Sequence, residues 1–213
     1  MKLVDKFSKN IKNIIFDFGG VIMDININKT INAFADLNID GLNANDIISS
    51  HKSFLHDLEI GIITPDEFIN SIYKEYPAAS NVSDKRIWDA WNSLLQSYDS
   101  ERIAMVHRLG NYYNLYLLSN TNFPHRVKFK EIYRKQFGEN LEDLFIESYY
   151  SDELHLRKPD IEIYKQVVEK ARINPETTLF IDDNEANITS AREFGLQAYH
   201  LTGGEKITDL FEG

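Results

Sequence analysis

The chain contains no cysteine among its 213 residues, which excludes a disulfide framework, thiol nucleophiles and thiolate metal sites. It also lacks a surplus of positive charge. The 33 acidic side chains outnumber 23 lysines and arginines, giving a formal net charge of -10 at pH 7. Nucleic acid and anionic membrane surfaces both require a basic footprint, so neither is expected as a partner. No stretch is long and apolar enough to span a bilayer, and Met1 to Lys6 has no apolar core of signal-peptide length, so a cytoplasmic location is the expectation. Internal repeats and low-complexity tracts are missing as well. The remaining composition, 43% hydrophobic and 26% charged, suits a globular protein with one sizeable core and a small accessory unit.

Strand signals occur at Asn13 to Asp17, Leu115 to Ser119, Phe145 to Tyr149, Leu179 to Asp182 and Gln197 to Leu201, with helical patterns between them. Such alternation implies an α/β fold, a doubly wound parallel sheet with helices on both faces. The interval from Asp24 to Asp99 has no convincing strand and reads as consecutive helices. Within it, Thr64-Pro65-Asp66-Glu67 is a capping box with proline at the first helical position, followed by Phe68, Ile69, Ile72 and Tyr73 on one face. Asp84 to Leu95 spaces Ile87, Trp88, Trp91, Leu94 and Leu95 as a helix does, and the two tryptophans are expected in its core rather than as a sugar-stacking platform. The basic run His125 to Lys135 is interspersed with Val127, Phe129, Ile132 and Tyr133, the pattern of an amphipathic helix with a solvated face.

Four short segments carry the chemistry. Asp17 ends the first apolar strand and is followed by Phe18 and the pair Gly19-Gly20, which lets the main chain turn close to an anion or metal. A second strand ends in Ser119-Asn120-Thr121-Asn122. Arg157-Lys158-Pro159-Asp160 reads as a helix opening, and a third strand ends in Asp182-Asp183-Asn184, with Asn187 one helical turn on. Each segment alone is explained as a turn or a helix start. Their conjunction, in this order and on such elements, is not.

This ordered set resembles the haloacid dehalogenase-like hydrolase superfamily over nearly the whole chain. The stretches Leu118 to Asn122, Leu156 to Pro159 and Ile181 to Ile188 look like the branch that includes bacterial α-glucose-1-phosphate phosphatases. The resemblance implies a Rossmann-like core of residues 1–23 and 100–213 with an inserted helical cap of residues 24–99. It implies Asp17 as a nucleophile that forms an aspartyl-phosphate, Ser119 and Lys158 as ligands of the phosphoryl oxygens, and Mg²⁺ held by Asp17, the Gly19 carbonyl, Asp182 and Asp183. Of the acidic pair, Asp183 is the stronger expectation for direct coordination. Asn120 is expected to donate to a phosphate oxygen or to the nucleophile, and Asn187 stands where related chains often hold an outer-shell carboxylate. The implied partner is a small phosphorylated metabolite, such as a sugar phosphate like glucose 1-phosphate, bound by a monomer or homodimer. In the cap, the loop Glu59-Ile60-Gly61 is where specificity contacts are expected, with Glu59 facing the Asp17 cleft, while His51 and His56 just upstream read as exposed helix-surface residues. His155 occupies a position often held by glycine and is expected to mark a backbone bend.

The chemistry of the reaction makes a cation necessary, because an anionic nucleophile must approach an anionic substrate. One residue departs from the phosphatase pattern: the position two after the nucleophile, usually a second aspartate serving as general acid and base, is Gly19. Rates should then depend on leaving-group acidity, which suits an anomeric phosphate better than a primary alkyl one. Two other readings share the scaffold. A metal-independent haloacid dehalogenase would need no second aspartate, although the acidic pair at Asp182 and Asp183 weighs against it. A non-catalytic binding protein would keep the site and lose turnover.

Overall fold

A computed structural model of the chain describes residues 2–3, 10–43, 45 and 53–212. The chain runs through β1 (Lys2–Leu3) and β2 (Asn13–Phe16), then α1 (Ile27–Ala35), α2 (Ser53–Glu59), α3 (Pro65–Glu75), α4 (Asp84–Asn92) and α5 (Ser100–Leu109). It continues with β3 (Asn114–Ser119), α6 (Phe123–Phe137), β4 (Glu147–Tyr150), α7 (Ser151–Leu154) and α8 (Ile161–Ala171). The last elements are β5 (Thr178–Asp182), α9 (Glu185–Phe194), β6 (Gln197–His200) and β7 (Phe211–Glu212). Five strands form one parallel sheet in the order β4-β3-β2-β5-β6, and β1 pairs separately with β7.

Alternate residues of the central strands feed two cores. Ile14, Phe16, Leu115, Leu117 and Ile181 pack with Val106 of α5 and Phe129 of α6, whereas Ile15, Tyr116, Leu118 and Phe180 pack with Tyr164 of α8 and Ile188 of α9. A parallel sheet covered on both faces needs apolar residues at every strand position, which is why β2 is buried throughout. Each such fully buried Ile or Phe contributes about 1.5–3 kcal/mol.

Helices α1 to α4 have a core of their own, built from Phe34, Leu58, Phe68, Ile72, Ile87 and Trp91 among others. The capping box forms as expected. Thr64 Oγ1 accepts the Glu67 N–H at 3.2 Å, and the Glu67 carboxylate accepts the Thr64 N–H at 2.8 Å. Phe68 lies against both Trp88 and Trp91, so the tryptophans belong to this core. The chain leaves and re-enters the sheet region along two adjacent stretches stitched together by Asn26 N–H to Leu94 O at 2.8 Å and Gln96 N–H to Asp24 O at 3.3 Å.

That stitching corrects one expectation. Helix α4 stops at Asn92, and Leu94 and Leu95 belong to the returning stretch, where Leu95 bridges Ile25. Ser93 ends the helix by bonding its hydroxyl back to Ala90 O at 2.7 Å. Strand β4 likewise begins two residues later than its apolar run, because Phe145 is drawn into the core after a 3-10 turn at Leu141–Leu144.

Candidate active site

Asp17, Ser119 and Asp182 stand at the carboxyl ends of three neighbouring strands, β2, β3 and β5. The connections from these strands open a crevice at that edge, the usual ligand position of a doubly wound sheet. The Asp17 N–H continues the ladder by donating to Ile181 O at 2.9 Å, which fixes the carboxylate's mount.

Lys158 is the hub. Its ammonium is 1% exposed and spends its three protons on Asp17 Oδ1 at 2.5 Å, Asp182 Oδ2 at 2.7 Å and Leu118 O at 3.0 Å. Burial works against the charge, yet the two carboxylates outweigh it and hold the Lys158 pKa above the usual lysine value. The residue does not open a helix as expected. The Lys158–Pro159 peptide is cis, Asp160 is the N-cap, accepting the Glu162 N–H at 3.1 Å, and α8 starts only at Ile161. Lys158 is aimed instead by Asn120, whose side-chain amide accepts the Lys158 N–H at 2.9 Å and donates to Lys158 O at 2.8 Å. Asn120 thus positions Lys158 from both ends of its amide, with one of its two N–H protons outside these bonds.

The acidic residues divide their work. Asp182 is fully buried and saturated, receiving Lys158, the Asn184 N–H at 2.8 Å and Asn187 Nδ2 at 3.1 and 3.0 Å on its two oxygens. Asn187 thus braces the carboxylate from behind. Asp183 is more open, and an oxygen from each of Asp17, Asp182 and Asp183 lies within 4.8 Å of the others. Burial, with the Asp182 charge adding and Lys158 opposing, pushes the Asp17 carboxyl up to about 7, and Asp183 is raised by burial and by Asp182. One lysine against three carboxylates leaves excess negative charge among hard oxygen donors, which fits a divalent cation such as Mg²⁺.

The two glycines behind Asp17 differ. Gly20 has φ +77°, and a Cβ there would sit 2.2 Å from Asp183 Oδ2, so a side chain is excluded. Gly19 is outside the left-handed region, and a Cβ would meet only the Ile25 side chain, at 3.4 Å.

Across the crevice, the helical segment contributes the loop at the end of α2. Glu59 pairs with Arg157 at 2.9 Å, Ser151 Oγ donates to Glu59 O at 2.7 Å, and His155 Nδ1 donates to Ile60 O at 2.9 Å. Gly61, at φ +66°, approaches so closely that a Cβ would lie 2.1 Å from Asp152 O. His155 is in the left-handed region at φ 56°, the expected bend, and its ring also ties the loop to the sheet side. Behind the loop lies a cavity of about 260 Å³, lined by Glu59, Arg157, Asn120, Asn122, Trp91 and His125, with the exposed His56 also on its wall. His51 lies outside the described residues.

His125 and Arg157 are site residues that the sequence pattern did not single out. His125 read as part of a basic run, but its ring stacks on Trp91 at 5.0 Å, donates from Nε2 to Trp91 O at 3.1 Å and accepts from Asn122 Nδ2 at 3.1 Å. Burial drives its pKa down to about 4, so the ring is neutral. Its place three residues after the helix-capping Asn122, whose Oδ1 accepts the His125 N–H at 3.1 Å, is the signal that could have separated it from the lysines.

The family model of haloacid dehalogenase-like hydrolases matches residues 11–195. Among curated proteins, the chain is 29% identical to D-ribitol-5-phosphate phosphatase of Bacteroides thetaiotaomicron, over 91% of this chain and 93% of that one. It is 24% identical to a sesquiterpene phosphatase of Aspergillus oryzae, over 90% of each. Among solved structures, a haloacid dehalogenase-family enzyme of B. thetaiotaomicron in complex with magnesium and inorganic phosphate superposes with a TM-score of 0.87 at 34% identity, covering 95% of this chain and all of that one. A chain matched over so much of its length, with its strand-end residues gathered around one buried lysine, belongs to the haloacid dehalogenase-like hydrolase family.

Proposed function

We propose that the protein is a Mg²⁺-dependent phosphatase that hydrolyses a small phosphorylated metabolite, a sugar or polyol phosphate, through an aspartyl-phosphate on Asp17. The observation that carries this reading is the Lys158 ammonium joining Asp17 and Asp182, with Asp183 alongside. It is supported by the phosphatase names of two relatives and by the magnesium and phosphate complex of a matched structure.

In this reading the Asp17 oxygen not held by Lys158 attacks phosphorus, the ester bond breaks, and water later releases phosphate from Asp17. Ser119, whose hydroxyl makes only a long 3.4 Å contact to Asn120 O among the described residues, donates to a phosphoryl oxygen. Lys158 offsets developing charge while keeping Asp17 oriented. Mg²⁺ bound by Asp17, Asp183 and the Gly19 carbonyl would offset the charge on the transferring group and on the carboxylates, with Asp182, expected as a further ligand, contributing its charge rather than a free oxygen. Asp183 is the carboxylate with oxygens to spare, since Asp182 is saturated by protein donors. Residues 24–99 act as a cap, hinged at the stitched stretches around Asp24 to Asn26 and Leu94 to Gln96. Glu59 brings the cap's contact to the leaving group.

Gly19 leaves the reaction without the usual acid, which favours a leaving group as acidic as an anomeric hydroxyl, as in glucose 1-phosphate. A Mg²⁺-dependent screen of sugar 1- and 6-phosphates, ribitol 5-phosphate, nucleotides and an aryl phosphate tests the assignment. Turnover of a sugar or polyol phosphate is expected, and no turnover of any ester would contradict it. The dehalogenase reading fits the site less well, because three clustered carboxylates without a cation would oppose one another.

A further inference from the structure

The cavity behind the Glu59 loop offers few groups that a ligand can still bond. On its wall, the Asn120 amide is committed to Lys158, and the Asn122 amide and His125 ring are committed to each other and to Trp91. The Trp91 ring is stacked by His125 at 5.0 Å and packed by Phe68 at 5.2 Å, so its contacts are made within the protein core. The Glu59–Arg157 pair is different. Only one Glu59 oxygen is engaged by Arg157 among the described residues, and Arg157 Nε is buried with no hydrogen-bond partner among them. Both residues are largely enclosed, at 24% and 33% side-chain exposure, and burial raises the Glu59 pKa with Arg157 opposing it.

The position of the pair matters as much as its chemistry. Arg157 precedes Lys158, whose ammonium touches Asp17, and the facing wall is Asn120, which follows Ser119. A phosphoryl group carried on Asp17 beside Ser119 has Asn120 and the cavity next to it, so its ester substituent can extend toward Glu59 and Arg157. A carboxylate beside a guanidinium presents an acceptor and a donor within one hydroxyl's reach and carries no net charge. A second anion on the substrate would have to displace Glu59 from Arg157 or lie against the Glu59 carboxylate, and like charges at short range in a confined cavity are costly.

We propose that the Glu59–Arg157 pair selects substrates whose leaving group is compact, hydroxylated and uncharged, and rejects those bearing a second anionic group. The inference rests on the phosphatase reading and names the substrate class within it. Glu59 is the discriminating residue: it accepts from the leaving group's hydroxyls and withholds Arg157 from competing anions.

The test compares kcat/KM for two matched pairs of esters, glycerol 3-phosphate against 3-phosphoglycerate and sorbitol 6-phosphate against 6-phosphogluconate. The ester oxygen is primary in both members of each pair, and the second member has a carboxylate where the first has a terminal hydroxymethyl group. The readout is the ratio within each protein, so a general loss of activity cancels. The wild type is expected to prefer the neutral member by roughly tenfold or more. Glu59→Gln, which keeps the side chain's shape and frees Arg157, is expected to shrink or invert that ratio by about tenfold, chiefly through KM for the anionic member. Arg157→Gln, which leaves Glu59 unopposed, is expected to move the ratio the other way. If both variants lose activity on all four esters in parallel, the pair is only a latch between cap and sheet and the inference is overturned. Aryl phosphate turnover by the wild type reports separately on the phosphatase reading. A wild type that cleaves the aryl ester yet shows equal rates within each pair overturns the inference alone, while one inert toward every ester overturns both.

Discussion

Gly19 and Gly20 are neighbours in the chain, and both read as flexible turn residues, yet the space around them makes them opposites. A side chain at Gly20 would collide with Asp183, so Gly20→Ala should cost about 1 kcal/mol or more from its φ of +77° and abolish the Mg²⁺ response by displacing that carboxylate. The Cβ of Gly19→Asp would meet only the Ile25 side chain, which is 40% exposed, so the folded protein should accept the substitution. If the absent acid limits turnover, that substitution should raise rates on primary alkyl phosphates about tenfold more than on aryl phosphates. A parallel change in both classes would show that another group already serves as acid. The acidic pair can be separated in the same way. Asp183→Asn should weaken Mg²⁺ activation with little change in thermal stability. Asp182→Asn should lower stability by about 3 kcal/mol, because it strips the buried Lys158 of one of its two counter-charges. Denaturant titrations and Mg²⁺ activation curves of the two variants distinguish these outcomes. That Asp17, Lys158 and the acidic pair come together was legible in the sequence, because each is a strand-end or proline-linked residue in a fixed order. Asn120 was not, because nothing in a Ser-Asn turn shows that its amide closes on the backbone of a residue far along the chain.

Helices α4 and α6 meet through His125, Trp91 and Asn122, a contact that joins the helical segment to the sheet domain. The His125 pKa is depressed to about 4 by burial, below the unfolded value near 6.5. The unfolded chain therefore binds the proton first, so this residue's contribution is complete above pH 6.5 and is lost progressively as pH falls toward 4. In an NMR titration the His125 ring should remain neutral down to about pH 5, and a midpoint near 6.5 would contradict its burial in this contact. His125→Asn should flatten the loss of thermal stability between pH 6.5 and pH 4.5. The element-level pattern was readable where periodicity was local: the capping box at Thr64 and the apolar runs of β2, β3 and β5 formed as expected. It failed where a partner far along the chain decided the outcome. Leu94 and Leu95 continued the helical spacing, but their backbone pairs with residues 24 to 26. His125 looked like one more cation until its helix was laid against Trp91.

At the scale of the whole molecule, the helical segment touches the sheet side at the loop after α2, where Glu59, Ile60 and Gly61 meet Arg157, Ser151, Asp152 and His155. Gly61→Ala, which puts a methyl group where Asp152 O already stands, should hold that loop away from Arg157 and raise KM for the preferred ester more than it changes kcat. Equal KM values for variant and wild type would show that loop docking does not shape the substrate cavity. The apolar positions of the sequence reveal the two layers and the insert, since each has its own core. They do not reveal which residues of the helical segment face the crevice, because side chains such as Glu59 acquire partners only when that segment packs against the sheet side. In the proposed reaction Asp17 is phosphorylated during turnover. The most direct test of that step is acid quenching of the protein during Mg²⁺-dependent turnover of an aryl phosphate, followed by mass analysis of the peptide that contains Asp17. One phosphoryl group is expected on Asp17 in the wild type, none without Mg²⁺ and none in Asp17→Asn, which should also be inactive. Steady turnover by Asp17→Asn, or wild-type turnover with phosphate traced to another residue, would contradict the proposed reaction.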